Sequence, residues 1–316
     1  MIARMILGLG VRFLLSLLLA SVVIFLLLRA IPGDPARVAL GVTATDEAVA
    51  RLAAQLGTDR PLPAQYLDWV GGLLTGDFGV SLASRQDITP LVVDRAQVSL
   101  ILCGVAMVLS LLIAVPMGMW AARRDDRPDG LLVSGSSQVG IAVPSFLAGI
   151  LLVTVFAVHL GWVPASGWVP PGEDFGGFLA RLVLPVIALT LVQAAILTRY
   201  VRSAILEVLD RDFIRTARST GASMGGALWR HGLRNAALPV LTVTGLQLTS
   251  LVVGAVVIER VFLLPGLGSM LLDSVARRDL TAVQTIVMLL VVFTLTVNLL
   301  VDLTYRLVDP RIRRSS

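Results

Sequence analysis

Long apolar runs alternate with short polar stretches along this chain, and that alternation sets its expected architecture. Six runs stand out: 13–28, 98–122, 131–160, 178–198, 238–257 and 282–308. A run such as 98–122 is long enough to cross the roughly 30 Å hydrocarbon layer at about 1.5 Å per residue. The pattern predicts an all-α integral membrane protein of six transmembrane helices. Arg4 and Arg12 precede the first run, and by the cytoplasmic excess of positive charge it enters from inside, which leaves both termini inside. A cleaved signal peptide is the rival reading of the first residues. The apolar run is long for that role, Arg29 ends it, and Pro32-Gly33-Asp34-Pro35 offers no small-residue cleavage site.

The polar stretches add detail. Between the first two runs the chain carries Asp34, Asp46, Glu47, Asp59, Asp68, Asp77, Asp87 and Asp94, more acids than arginines. Residues 45–56 have a capping Thr and a helical apolar stripe, 63–74 form a second helical candidate, and Gly76-Asp77-Phe78-Gly79-Val80-Ser81 reads as a turn. Pro116 should kink the second run, and Pro144-Ser145 interrupts the third. Gly135, Gly140 and Gly149 in the third run permit close helix approach, which favours the bundle interior. Trp162 and Trp168, among prolines, mark an interfacial loop on the outside. The expected organisation is a first transmembrane helix at 1–31, an extracytoplasmic region at 32–97, a membrane core at 98–308 and a cytoplasmic tail at 309–316.

The stretch 199–237 differs from every other polar segment. Arg199, Arg202, Arg211, Arg215, Arg218, Arg230 and Arg234 crowd it, which places it inside. Residues 203–209 carry apolar positions at helical spacing, Asp212 can cap a short helix through Ala217, Gly221 suits a left-handed stop, and Ser223 can cap the next turn. A helix–Gly–helix on the inner face is a docking element for a soluble partner. The bland alternative is that its arginines only enforce topology.

This stretch resembles the cytoplasmic loop of ABC importer permeases. Arg215-Thr216-Ala217 takes the place of the general Glu-Ala-Ala triplet, Gly221 the glycine, and Leu238-Pro239 the close. The missing Glu and the longer distance from Gly221 to Pro239 fit the dipeptide/oligopeptide/nickel branch, in the first, B-type permease. That branch also has Arg-Thr-Ala-Arg-x-x-Gly, matched at Arg215–Gly221, and Arg-x-Leu-Arg-Asn-Ala-x-Leu-Pro, matched from Leu233 to Pro239 with His231 in the place of its first Arg. Gly76-Asp77-Phe78-Gly79-Val80-Ser81, the block Glu259-Arg260-Val261-Phe262-Leu263-Leu264-Pro265-Gly266-Leu267-Gly268 with Arg278-Asp279, and Asn298 with Asp302 and Asp309-Pro310-Arg311-Ile312-Arg313 extend the resemblance from end to end. Pro265 and its glycines make a re-entrant turn plausible.

The resemblance implies a type I importer permease with an extracytoplasmic insertion after the first helix, in a bacterial cytoplasmic membrane. Its implied partners are a homologous second permease, two ATPase subunits that hold ATP and Mg, an extracytoplasmic substrate-binding protein and the lipid bilayer; no nucleic acid is involved. Cargo of this family is most often a di- or oligopeptide, with nickel, glutathione or another small solute as the alternative. Arg215, Thr216, Ala217, Arg218, Ser219, Gly221 and Ala222 would meet the ATPase. Gln193, Gln247, Thr249, Ser250 and Asn298 are candidates for the translocation path, against simple helix–helix hydrogen bonding. Glu259, Arg260, Phe262, Pro265 and Gly266 are candidates for an outer gate, against an interfacial Glu259–Arg260 ion pair.

Composition narrows the remaining classes. With 56% hydrophobic and 15% charged residues, the chain of 316 is too apolar for an ordinary soluble protein. The net charge of +5 lies beside the apolar runs, so it reads as topology rather than nucleic-acid binding. Every Lys/Arg position is arginine, and without lysine a phosphate loop of the Gly-x-x-x-x-Gly-Lys type is impossible; the chain is expected to have no ATPase site of its own and no catalytic residues. The single cysteine, Cys103, excludes an internal disulfide. His159 and His231 are expected on opposite faces, so no metal site is expected. A stand-alone secondary transporter would show inverted repeats and mid-membrane charges, and neither is seen.

Overall fold

The apolar runs become helices, nearly all longer than the runs themselves. In the computed structural model, which describes residues 2–41, 44–209 and 211–308, the described residues form thirteen α-helices and two π-helical turns. They are α1 (Ile2–Arg29), α2 (Pro35–Leu40), α3 (Asp46–Leu56), α4 (Leu62–Thr75), α5 (Thr89–Arg123), α6 (Pro128–Ala142) and α7 (Ser145–Leu152). They continue as α8 (Phe175–Leu209), α9 (Asp212–Ser219), α10 (Met224–Ala227), α11 (Leu233–Val261), α12 (Leu267–Ala276) and α13 (Leu280–Val308). Among the described residues five helices are long and apolar enough to span a membrane, and α6 with α7 and its π-helical extension Val153–His159 forms an apolar pair bent by 95°, which brings the number to six when the pair is counted as one span. On α1 the side chains of Leu14, Leu15, Leu18 and Leu19 are exposed, as lipid-facing positions of a multi-pass membrane protein are.

The break in the third span lies at the interruption expected from Pro144. Val143 is extended (φ −87°, ψ 118°), because the proline ring disfavours a helical residue before it. The proline then leads α7 without needing an N–H. Pro116, Pro185 and Pro239 lie inside α5, α8 and α11, each helix running on through the proline.

Contacts group the chain into two compact units, the described parts of Met1–Val98 with Gly266–Leu299 and of Ser99–Pro265 with Leu300–Ser316. In the second unit α8 packs against α6, α7 and α11. The approach is close: a Cβ on Gly140 would come 2.8 Å from that of Ala195, so only glycine lets α6 and α8 meet there. Gly135 faces open space and takes no part in this packing.

In the first unit, α3 begins as expected: Thr45 accepts a hydrogen bond from Ala48 N at 3.3 Å, and Gly57 closes the helix at φ +66°. Tyr66 and Trp69 of α4 pack on Phe25 of α1, and Tyr66 Oη lies 2.8 Å from Ser21 Oγ. The Gly-Asp-Phe-Gly-x-Ser turn leads into α5, which starts nine residues before the expected run. Ile88, Val92, Leu267, Met270, Ala282 and Ile286 form a buried cluster here. Above it, the buried carboxylate of Asp279 accepts hydrogen bonds from Ser81 Oγ, from Leu82 N at 3.1 Å and from Ala282 N at 3.3 Å. Two sequence blocks almost 200 residues apart are thus joined through one carboxylate. Asp87, exposed before α5, accepts from Thr89 N at 2.8 Å; that backbone bond, with the Thr89 side chain, holds its carboxyl below the usual range.

Candidate functional site

The arginine-rich stretch forms an elbow. The helix α8 does not stop at the expected boundary near Thr198 but continues to Leu209, so 203–209 is its last two turns. Arg211 then takes the cap position of α9 with extended backbone and no side-chain cap bond. Asp212, expected as the cap, is instead the first helical residue, where its charge still suits the positive end of the helix. Gly221 stops the elbow's first helix at φ +94°, a region that glycine occupies without strain. Its N–H donates to Arg218 O at 3.0 Å, and Ala222 N donates to Ala217 O at 3.1 Å. Ser223 Oγ accepts from Gly226 N at 3.1 Å and so caps α10, as its position implied. A π-helical turn, Leu228–Gly232, leads into α11.

An apolar seat fixes the elbow. Ile214, 1% exposed, enters a buried cluster with Ala122, Val201, Ala204, Ile205, Val208, Ala227, Leu228, Ala236 and Val240. Ala217, one turn on, is half-buried against the same cluster. The other six expected contact residues, Arg215, Thr216, Arg218, Ser219, Gly221 and Ala222, are all exposed. Arg218 has no ion pair among the described residues, and Arg215 reaches Asp212 only at 3.9 Å. In contrast, Arg202 pairs with Asp125 and Arg124 with Asp129, which tie the 123–129 connection to its surroundings. Arg124 also stacks 4.5 Å from the Trp120 ring.

Two features of the elbow escape motif reading. Ile214 is the anchor, and a helical stripe shared with Ala217 was its only sequence signal. Phe213 is 38% exposed on an otherwise polar surface. Its place, one residue off the buried stripe, could have identified it.

The path candidates differ in burial and in bonding. Gln193 is buried in α8 and its Oε1 has no partner among the described residues. Gln247 is half-buried, while Thr249 and Ser250 return their hydroxyls to Gly245 O and Leu246 O of their own helix at 3.4 and 3.3 Å. Asn298 is exposed on α13. No hydrogen bond joins these five among the described residues.

At the gate candidates, Glu259 is buried and accepts from Ser99 Oγ at 2.6 Å, whereas Arg260 is exposed. Leu264 N donates to Glu259 O at 2.8 Å, closing a turn whose left-handed residue is Leu263 at φ +51°. The expected glycines do not make that turn. Gly266, extended and buried, instead leads into the short apolar α12. Phe262 is buried, its carbonyl accepts from Gly167 N at 2.9 Å, and Pro265 is half-buried. His159 Nδ1 lies 2.7 Å from Thr154 O, and Cys103 is buried. The side chains of His231, Arg234 and Arg306 and the tail 309–316 lie outside the described residues.

Comparison with known proteins turns this arrangement into a family assignment. Residues 114–314 match the model of binding-protein-dependent transport system inner membrane components, and residues 1–103 match the N-terminal model of the same systems. The chain belongs to this permease family. Similar proteins include a probable peptide ABC transporter permease of Sinorhizobium fredii, 37% identical over 93% of this chain and 94% of that protein. Another is the oligopeptide transport system permease protein AppB of Bacillus subtilis, 36% identical over 92% and 93%. Among solved structures, the MetNI methionine ABC transporter shares the fold at a TM-score of 0.59 and 19% identity, covering 70% of this permease and 98% of that chain. An amino acid ABC transporter gives 0.52 and 21%, covering 69% and 94%. The permease is a membrane-spanning subunit of a binding-protein-dependent ABC importer, built on the type I permease fold.

Proposed function

We propose that this permease imports short peptides across a bacterial cytoplasmic membrane, taking its drive through the elbow at Gly221. The observation that carries the coupling role is the exposed, largely uncompensated arginine face of α9 seated on a buried apolar cluster. Such a face is anchored from behind and open in front, which suits an acidic groove on an ATPase subunit. Both termini and the elbow lie in the cytoplasm in this reading. The complex comprises this chain, a homologous second permease, two ATPase subunits carrying ATP and Mg, and an extracytoplasmic binding protein that selects cargo. Peptide as cargo rests on the names of the similar permeases. Gln193, buried with a free amide oxygen, is the strongest of the path residues, and Glu259 the strongest at the gate.

Nucleotide-driven closure of the ATPases would bias one bistable bundle through this contact. Proteoliposomes with all subunits test the proposal. Gly221→Arg should insert and assemble the membrane subunits yet lose peptide uptake and stimulated ATP hydrolysis; a variant that retains both removes the elbow from the coupling path. Uptake of nickel or glutathione in place of peptides by the wild-type complex would replace the cargo assignment and leave the coupling role intact.

A further inference from the structure

Within the first unit, α1 ends and α13 begins around one apolar cavity of about 340 Å³. Leu28 in the last turn of α1 and Val283 in the first turn of α13 stand on its wall, together with Ile31, with Val38 of α2 and with Val275 of α12. Both α1 and α13 are long and apolar enough to span a membrane, so the cavity lies at the edge of the hydrocarbon layer, where lipid tails give way to headgroups. Its rim is open, since Ile31, Val38 and Val275 are exposed. Apolar side chains left bare at this depth suit a lipid neighbour.

One charged residue shares this wall. Arg278 is exposed, and it has no ion pair among the described residues. The adjacent Asp279 does not pair with it, because that carboxylate is buried and takes its hydrogen bonds from Ser81, Leu82 and Ala282. The backbone, moreover, holds the arginine here against its own preference. Arg278 N donates to Val275 O at 3.1 Å and Asp279 N to Ser274 O at 2.8 Å, the paired bonds that close a helix through a left-handed residue. That residue is ordinarily glycine; here it is Arg278, at φ +55°. Glycine would close α12 without the strain, so the strain directs attention to what the side chain does.

We infer that this cavity holds one phospholipid, with the upper part of an acyl chain against Leu28, Val38, Val275 and Val283 and the phosphate on the guanidinium of Arg278. Depth and charge together select this occupant. A soluble anion would meet one cation and an otherwise apolar wall, whereas a neutral lipid would leave the cation bare; a phospholipid satisfies both parts at once. The site is separate from the elbow and from the path residues, and it depends on neither the cargo nor the coupling reading.

The test is photo-cross-linking of the purified full-length permease in dodecyl maltoside micelles. The probe is phosphatidylglycerol with a diazirine in one acyl chain, and the cross-linked positions are mapped by peptide mass spectrometry. Wild type should be labelled saturably at 28–38 and 275–283, and a diacylglycerol with the same chains, which lacks the phosphate, should label these segments at least about fivefold less. Arg278→Gly suits the left-handed backbone and should keep the fold, yet it should bring labelling by the phospholipid down to the diacylglycerol level. Val38→Trp, which fills the cavity from its open rim, should lower labelling by both probes. Glycerophosphoglycerol, the headgroup without its chains, should not compete; competition as strong as that of unlabelled phosphatidylglycerol overturns the inference in favour of a soluble phosphate. Equal labelling of wild type by the two lipid probes, absence of saturable labelling at these segments, or unchanged labelling of folded Arg278→Gly overturns it as well. The two probes and the competitor are compared on wild-type protein, so they decide even where a variant fails to fold. Neither uptake nor ATP hydrolysis is read, so the coupling proposal stands or falls apart from this result.

Discussion

The elbow of the second unit and the Asp279 junction of the first handle polar groups in opposite ways. At the junction a carboxylate is buried, 5% exposed, and hydrogen bonds from Ser81, Leu82 and Ala282 meet it. At the elbow Ile214 is buried while Phe213 and the arginines of α9 are left exposed, Arg218 without an ion pair among the described residues. A satisfied interior carboxylate fixes one arrangement of its neighbours. An exposed cationic face contributes little to the fold. The first is a fastening, and the second is the exposed face for which an ATPase contact is proposed above.

That contrast can be broken by experiment. The largest expected effect is Gly221→Arg: a built Cβ meets nothing within 4 Å, so the protein should remain folded apart from roughly 1–2 kcal/mol of backbone strain, while stimulated ATP hydrolysis by the complex is abolished. Ile214→Ala should lower the stability of the elbow by about 2–5 kcal/mol, seen as faster amide exchange across 212–228, because it empties a buried position. Ser81→Ala should cost about 1–3 kcal/mol in the first unit, through a buried carboxylate oxygen left short of a donor, with coupling unchanged in uptake assays. Phe213→Ala should leave thermal stability within about 0.5 kcal/mol and still weaken copurification with the ATPase. An equal loss of stability in the Phe213 and Ile214 variants would erase the distinction between seat and surface.

The smallest effect concerns acid. The folded-state pKa of Asp87 is depressed, so its contribution at the start of α5 is present above the ordinary carboxylate range and disappears as pH falls through the depressed value. Chemical-shift titration of Thr89 N–H should follow that step, and Asp87→Asn should remove it.

Much of this was legible in the chain. The apolar runs located every span, Pro144 located the bend, and Thr45, Gly221 and Ser223 declared local geometry that depends on neighbours only a few residues away. What the residues concealed was long-range. Nothing near Asp279 announces that Ser81 will be its partner, because a buried hydrogen bond across 198 positions leaves no local period. Helix ends were also misplaced: α8 passes Thr198 since Arg199 and Arg202 favour a helix as well as they favour water, and polarity alone does not end one. The positive φ at Leu263 was equally hidden, because the adjacent Pro265 and Gly266 seemed the natural place for the turn.

The uninterrupted run of α8 from Gln193 to Leu209 has a mechanical meaning. At about 1.5 Å per residue it is a stiff pushrod of roughly 24 Å, and Pro185, the nearest point of weakness, lies beyond its far end. Val201, Ile205 and Val208 of this same rod belong to the buried cluster that seats Ile214, so the seat of the elbow and the amide of Gln193 ride on one continuous helix.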